Sequence, residues 1–345
     1  MDMPGVILVI GTFIIICDYG RLMVYLPPNL NIITGVTNED GGYKECLYNN
    51  GVGGGAAIME FRTEVDVVRG GFRMQANESV VCIGSCFADN IGKMLVRDKF
   101  RVTVNPYGVM YNPASVNHSV NKLIEAFEAS QATFSAGAGG IFPRVIVLTL
   151  GTNHVYILNS TGEIVDNCAK RGQRLFTEKE LSVSDCSMYI SQAIDRLKAV
   201  RSDVRIILTV SPIRYRKYGF HVSRLSKAVL LLAAADVERR YKGIAEYFPA
   251  YEIMNDELRD YRFYAPDMIH PSQQAVEYIY ERFGDAYFAD DARRFIAAWT
   301  PLRKALEHRP FCPESADYKA FIAKTWEDID ALALHYPDFE KPQRL

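Results

Sequence analysis

The sequence predicts a three-layer α/β fold: a mostly parallel five-stranded sheet between helices, with further helices at the C-terminus. Three observations carry this. Two runs, "VIVLTL" (145–150) and "RIILTV" (205–210), are apolar without interruption, as strands covered on both faces must be. Segments with helical spacing alternate with the strand candidates. After residue 271 the chain reads as helix alone.

The elements follow in order. "SVVCIG" feeds a Gly-Ser-Cys turn, and Phe87, Ile91, Met94 and Leu95 then recur on one helical face, giving a strand at 80–84 and a helix at 86–98. Further strands are expected at 101–105, 145–150, 205–210 and 245–250. Helices are expected at 114–129, 177–200 and 223–243. "YILNSTGEIV" (156–165) reads as a hairpin turning at Thr161-Gly162. The last helices are expected at 272–284, 291–307 and 316–335, with Pro271 at the start of the first and Pro310 and Pro313 separating the last two.

Composition bounds the rest. The 345 residues are 49% hydrophobic, enough for a sizeable core, and the net charge of -2 gives no reason to expect nucleic acid or an anionic membrane as partner. The seven Cys contain no Cys-x-x-Cys pair and the six His do not cluster, so no zinc ribbon, disulfide framework or metal is expected. Scattered free cysteines suit a reducing, cytoplasmic setting. The apolar run at 4–17 is short for a membrane span and lacks a basic leader. Residues 1–58 are expected to be a poorly ordered extension rather than a membrane anchor or an export signal, with orderly sequence starting at Met59. A second expectation is that residues 1–58 are not native. Gly53-Gly54-Gly55 implies G-rich codons, like a ribosome-binding site, just before Met59.

Ligands of open α/β sheets sit at the strand carboxyl ends, so the polar residues there are the candidates. Ser85 ends the first strand. It fits two roles, helix cap or nucleophile beside the positive end of a helix. Cys86 is a second possible nucleophile, but one residue into the helix its side chain turns away by roughly 100°. Gly108, in "NPYGVMYNP", offers a bare N–H or forms a plain turn. Asn153, in "LGTNHVY", offers an amide to an oxyanion or serves the hairpin. In "APDMIHPS", Asp267 lies three residues before His270, close enough on a turn to fix its tautomer and leave the other ring nitrogen to take a proton. Nucleophile, donors, base and orienting acid thus occur in sequence. Arg214, His221 and Lys227 follow the fourth strand, near the site's edge. They suit an anionic or sugar substrate, or a solvated loop and helix face. The dinucleotide fingerprint Gly-x-Gly-x-x-Gly is absent, which disfavours a nucleotide-binding domain.

"IGSCFADNIG" resembles the signature of the GSCFA-domain family, and the likeness continues through "NPYGVMYNP", "LTLGTNHVY", "DNCAK", "SPIRYRKYGFHVSRLSK" and "APDMIHPS" to about residue 311. The resemblance implies a flavodoxin-like hydrolase domain of SGNH or GDSL type over 59–311, with residues 312–345 as a helical tail packing on it. It implies Ser85 as nucleophile, His270 as base, Asp267 as its partner, and Gly108 and Asn153 in the oxyanion hole. The expected activity is cleavage of an O-acyl ester, on a carbohydrate or similar small molecule, without a cofactor. Relatives carry a longer stretch with a Trp and paired His where this chain has "AFEASQATFSAGAGGIFPRV" (125–144). The alternative is therefore a binding or scaffold protein that keeps the fold with impaired catalysis.

Overall fold

A computed structural model of the protein describes five N-terminal strands between Val6 and Leu47, then residues 63–133 and 141–344. The chain divides into two compact units, Met1–Phe61 and Arg62–Leu345. In the first, β1 (Val6–Ile10), β2 (Phe13–Asp18), β3 (Arg21–Tyr25), β4 (Ile33–Thr37) and β5 (Tyr43–Leu47) form an antiparallel meander. The expected boundary at Met59 lies outside the described residues, as does part of the 125–144 segment, residues 134–140.

The second unit runs β6 (Ser79–Gly84), α1 (Cys86–Arg97), β7 (Arg101–Val104), α2 (Pro113–Thr133) and β8 (Val145–Leu150). A small antiparallel sheet follows, made of β9 (His154–Leu158), β10 (Ile164–Val165) and β11 (Phe176–Glu180). Then come α3 (Val183–Val200), β12 (Arg205–Val210), α4 (Gly219–Arg240), β13 (Ala245–Tyr247) and a single turn, α5 (Ala250–Glu252). The chain closes with α6 (Gln273–Tyr287), α7 (Asp290–Glu307) and α8 (Ala316–His335).

The main sheet has the order β13-β12-β8-β6-β7, and every pair in it is parallel. Counting its five strands along the chain, that order is 2-1-3-4-5, the flavodoxin-like arrangement. Strand alternation builds two cores. Val80, Cys82, Val145 and Val147 face α1 and α6. Val81, Ile83, Ile146 and Leu148 face α2, α3 and α4. With both faces covered, the continuous apolar runs are explained.

Three expectations need correction. The helix expected from 177 starts at Val183, and residues 176–180 are instead an edge strand paired with β9. The helix cannot extend back because Ser182 caps it: its hydroxyl accepts the Asp185 N–H at 3.1 Å while the Asp185 carboxylate takes the Ser182 N–H at 3.0 Å. The strand expected at 245–250 stops at Tyr247, where the chain turns into α5. Pro271 does not open a helix. Ser272 is the cap of α6, accepting the Ala275 N–H, and Pro271 bridges to Tyr264.

Helices α7 and α8 share a small core of Phe295, Trp299, Ile329 and Phe339. The Trp299 indole N–H donates to the Arg97 carbonyl at the end of α1, at 2.9 Å, which ties this hairpin to the sandwich.

Candidate active site

The strand order reverses between β6 and β8, the point at the carboxyl edge where open α/β sheets bind their ligands. Ser85 sits at that point. Gly84 before it adopts φ +141°, and a Cβ there would lie 2.0 Å from the Thr149 carbonyl oxygen. Only glycine lets the chain turn this close to β8. Asn105, itself at φ +40°, supports the turn: its Oδ1 accepts the Gly84 N–H at 2.8 Å and its Nδ2 donates to Asp89 at 2.7 Å.

Ser85 is the N-cap of α1, its Oγ accepting the Phe87 N–H at 3.3 Å, and only 2% of the residue is exposed. Cys86 is half-buried, with Sγ 3.5 Å from the Tyr111 hydroxyl. The Tyr111 main-chain carbonyl accepts the N–H groups of Gly151 and Thr152, each at 2.8 Å, and so ties the loop after β7 to the loop after β8.

The Asp267–His270 turn is built by hydrogen bonds. Asp267 Oδ1 accepts the N–H groups of Ile269 at 2.8 Å and His270 at 3.0 Å, while Oδ2 lies 2.6 Å from His270 Nδ1. The N–H of His270, then its ring and the Ile269 N–H, hold the Asp267 carboxyl down to about 2. An ionised Asp267 fixes Nδ1 as the protonated nitrogen and leaves Nε2 to accept a proton. Arg214, after β12, straps this turn to the sheet. Its N–H donates to the Ile269 carbonyl at 3.1 Å, its guanidinium donates to the Met268 carbonyl, and the Tyr264 ring lies 4.2 Å beneath it.

The expected oxyanion donors are all engaged within the protein. The Ser85 N–H donates to the Thr149 carbonyl at 3.1 Å, continuing the β6–β8 ladder. The Gly108 N–H closes a turn onto the Asn105 carbonyl at 2.8 Å; Gly108 has φ +92° with open space on its Cβ side. Asn153 Nδ2 donates to the Leu181 carbonyl at 2.8 Å. As the first residue of α1, Cys86 carries an N–H that has no acceptor in the helix.

Of the three residues expected at the substrate edge, His221 is exposed in the first turn of α4 and Arg214 holds the Asp267–His270 turn. Lys227 is only 3% exposed. Its Nζ donates to the carbonyls of Gly151 at 2.6 Å and Ser211 at 2.7 Å, pinning the ends of β8 and β12 together. Burial pulls its ammonium down to about 7. The supporting roles of Asn105, Tyr111 and Ser226, whose Oγ accepts the Asn153 N–H at 2.9 Å, were not read from sequence. Asn105 carries a faint signal, an Asn directly after a strand, since Asn tolerates positive φ better than most residues.

Among the described residues, no cluster of His, Cys, Asp and Glu could hold a metal ion, and no helix is long and apolar enough to cross a membrane.

A strand–turn–helix elbow with Gly-Ser at its tip, and a carboxylate–imidazole pair tied to the segment after β12, are carried by a flavodoxin-like α/β domain. The chain belongs to the GSCFA family: the family's model matches residues 79–142 and 140–283, and that of the GSCFA C-terminal domain matches 299–341. No curated protein matches it. Among solved structures it is similar to a member of the lipolytic protein G-D-S-L family from Veillonella parvula, at 13% identity over 59% of this chain and 95% of that one, TM-score 0.35. It is also similar to a carbohydrate esterase family 3 protein from Talaromyces cellulolyticus, at 10% identity over 60% and 94%, TM-score 0.34. A third is a carbohydrate esterase family 2 enzyme from Corynascus thermopiles, at 11% identity over 66% and 68%, TM-score 0.37. Likenesses this distant carry no argument about activity.

Proposed function

We propose that the protein is a serine acyl hydrolase that cleaves an O-acyl ester on a carbohydrate or similar small alcohol. The observation that carries this reading is the Asp267–His270 pair at 2.6 Å, strapped by Arg214 to the same sheet edge on which Gly84 turns Ser85 out of β6. Ser85 Oγ attacks the acyl carbonyl, His270 Nε2 takes its proton, and the imidazolium that forms is held by Asp267. The proton then passes to the leaving alcohol. Water, deprotonated by the same nitrogen, attacks the acyl-enzyme; the acyl–Oγ bond breaks, His270 returns the proton to Ser85 Oγ, and the acid is released. The oxyanion is met by the Cys86 N–H and by Gly108 and Asn153 once substrate displaces their present acceptors. One such donor is worth about 3 kcal/mol in the transition state.

The second reading is a binding protein that keeps the fold without turnover. One observation favours it: the Ser85 and Gly108 N–H groups are satisfied internally, and buried Asn153 Nδ2 already spends one of its two N–H groups on Leu181. Labelling with a fluorophosphonate separates the two. A hydrolase is labelled at Ser85, and an ester library is then turned over by the wild type and not by Ser85→Ala. Absence of labelling together with absence of turnover sinks the hydrolase reading.

A further inference from the structure

Next to the Asp267–His270 turn lie two neighbouring cavities, of about 300 and about 50 Å³, that share Arg214, Arg224 and Asn255. Arg259 joins the larger and Lys227 the smaller. All these residues follow β12 or β13 in the chain, so the cleft opens on the carboxyl edge of the sheet, the edge that carries Ser85.

The cleft is rich in cations that the protein leaves uncompensated. Arg224 and Arg259 are exposed, and neither has a carboxylate partner among the described residues. Arg214 is held in place between the Phe220 and Tyr264 rings, at 4.9 and 4.2 Å, and its Nε is buried without a hydrogen-bond partner. Lys227 donates to two carbonyls, which leaves a third N–H when the amine is protonated. The opposing acid is Asp260, which lines the larger cavity and already accepts the Arg262 N–H at 2.9 Å. Helix α4 begins beside the smaller cavity with no side-chain cap, so its N-terminal dipole adds to the positive field. The far wall carries a π-helical turn, Ile253–Glu257, which sets Asn255 into both cavities. Single π-helical turns are frequent at functional sites.

Several planar guanidinium donors around a small cavity suit one chemistry, an oxyanion group bound by paired N–H donors. We propose that the cleft is an anion subsite, with Arg224, Arg259 and Arg214 holding a carboxylate, phosphate or sulfate carried by the ester substrate on the part away from the scissile bond. The inference rests on the hydrolase reading above and narrows its substrate to an anionic ester. Arg214 then serves twice: its main-chain N–H and one guanidinium nitrogen hold the Asp267–His270 turn, and the same residue lines both cavities.

The test uses the full chain and a matched pair of acetyl esters, one of a neutral alcohol and one of the same alcohol bearing a phosphate. Wild type is compared with the double variant Arg224→Gln, Arg259→Gln, both exposed positions whose change leaves the core untouched. The expected result is a kcat/KM preference for the phosphorylated ester of about tenfold or more, lost in the double variant, with inorganic phosphate competing against that ester alone. An equal preference in wild type and variant overturns the proposal. Binding of inorganic phosphate without any ester preference also overturns it, because the cleft would then serve a free anion. If neither ester is turned over, the hydrolase reading is decided separately by the fluorophosphonate and ester-library test, and calorimetry with the intact phosphorylated ester reads the subsite alone. Binding that disappears in the double variant upholds the subsite, and no binding to the wild type ends it.

Discussion

At the residue scale the sharpest question is which of two adjacent side chains attacks. A thiol is the better nucleophile near neutral pH. Position opposes it. Cys86 is already inside α1, half-buried, with its sulfur 3.5 Å from the Tyr111 hydroxyl, whereas Ser85 stands at the helix cap where β6 ends. Ser85→Ala should therefore abolish ester turnover, while Cys86→Ser keeps most of it. Rapid alkylation of Cys86 that kills activity in step, with Ser85→Ala still active, would reverse the assignment. Asp267→Asn belongs to the same scale. Oδ1 of the amide can still accept the Ile269 and His270 N–H groups, so the turn should hold. The new NH₂ would face His270 Nδ1 and demand the wrong tautomer. A fall in kcat on the order of 10³–10⁴-fold with little change in thermal stability is expected. Because Asp267 stays ionised down to about 2, protonation of this carboxylate should not set the acid limb of the rate profile. Undiminished kcat in Asp267→Asn would remove the pair from the mechanism.

At the scale of elements, sequence and structure agree where burial is two-sided and diverge where a segment is exposed or a polar group is internal. The strands β8 and β12 were legible because both faces are covered and every residue had to be apolar. The strand β11 was not. Four of its five residues, "TEKE", are exposed, and only Phe176 turns inward, so its pattern is as good for a solvated helix. The candidate site residues can be picked from the sequence only as residue types at strand ends, and the acceptors that occupy their donors cannot, since Leu181 and Thr149 contribute only main-chain oxygens. Lys227 shows the same limit. On α4 it reads as a solvated lysine, yet it lies inside and joins the ends of β8 and β12. Its ammonium is pulled from the ordinary 10.5 to about 7 by burial. Between those values the unfolded chain binds a proton that the folded chain does not, so this group makes stability rise with pH from about 7 upward, and its penalty is full below 7. Lys227→Met should lose this dependence and, by stranding the Gly151 and Ser211 carbonyls, cost about 1–3 kcal/mol. Melting curves of wild type and variant from neutral to mildly alkaline pH should diverge. Parallel curves would show that Lys227 keeps its proton, held by the two carbonyls.

At the scale of the molecule, the sandwich is clamped at one end by the α7–α8 hairpin. Phe295 and Trp299 of α7 are buried in one cluster with Ile329 of α8 and Phe339 beyond it. Trp299 then reaches α1 through its indole hydrogen bond to the Arg97 carbonyl, and α1 is the helix that Ser85 caps. The hairpin core and Ser85 thus sit at opposite ends of one helix of 12 residues. Ile329 is fully buried, so Ile329→Ala should cost about 2–5 kcal/mol in urea denaturation, through lost transfer free energy and the cavity left behind. The bond from Trp299 makes a distinction testable. Trp299→Phe keeps most of the apolar burial but strands the Arg97 carbonyl and loosens the C-terminal end of α1. It should destabilise by about 1–3 kcal/mol and speed amide exchange in the last turn of α1, while Ile329→Ala speeds exchange first in α8. If both variants opened α1 and α8 together, the hairpin and the sandwich would be one cooperative unit. If neither change reached α1, the clamp would be confined to the hairpin itself.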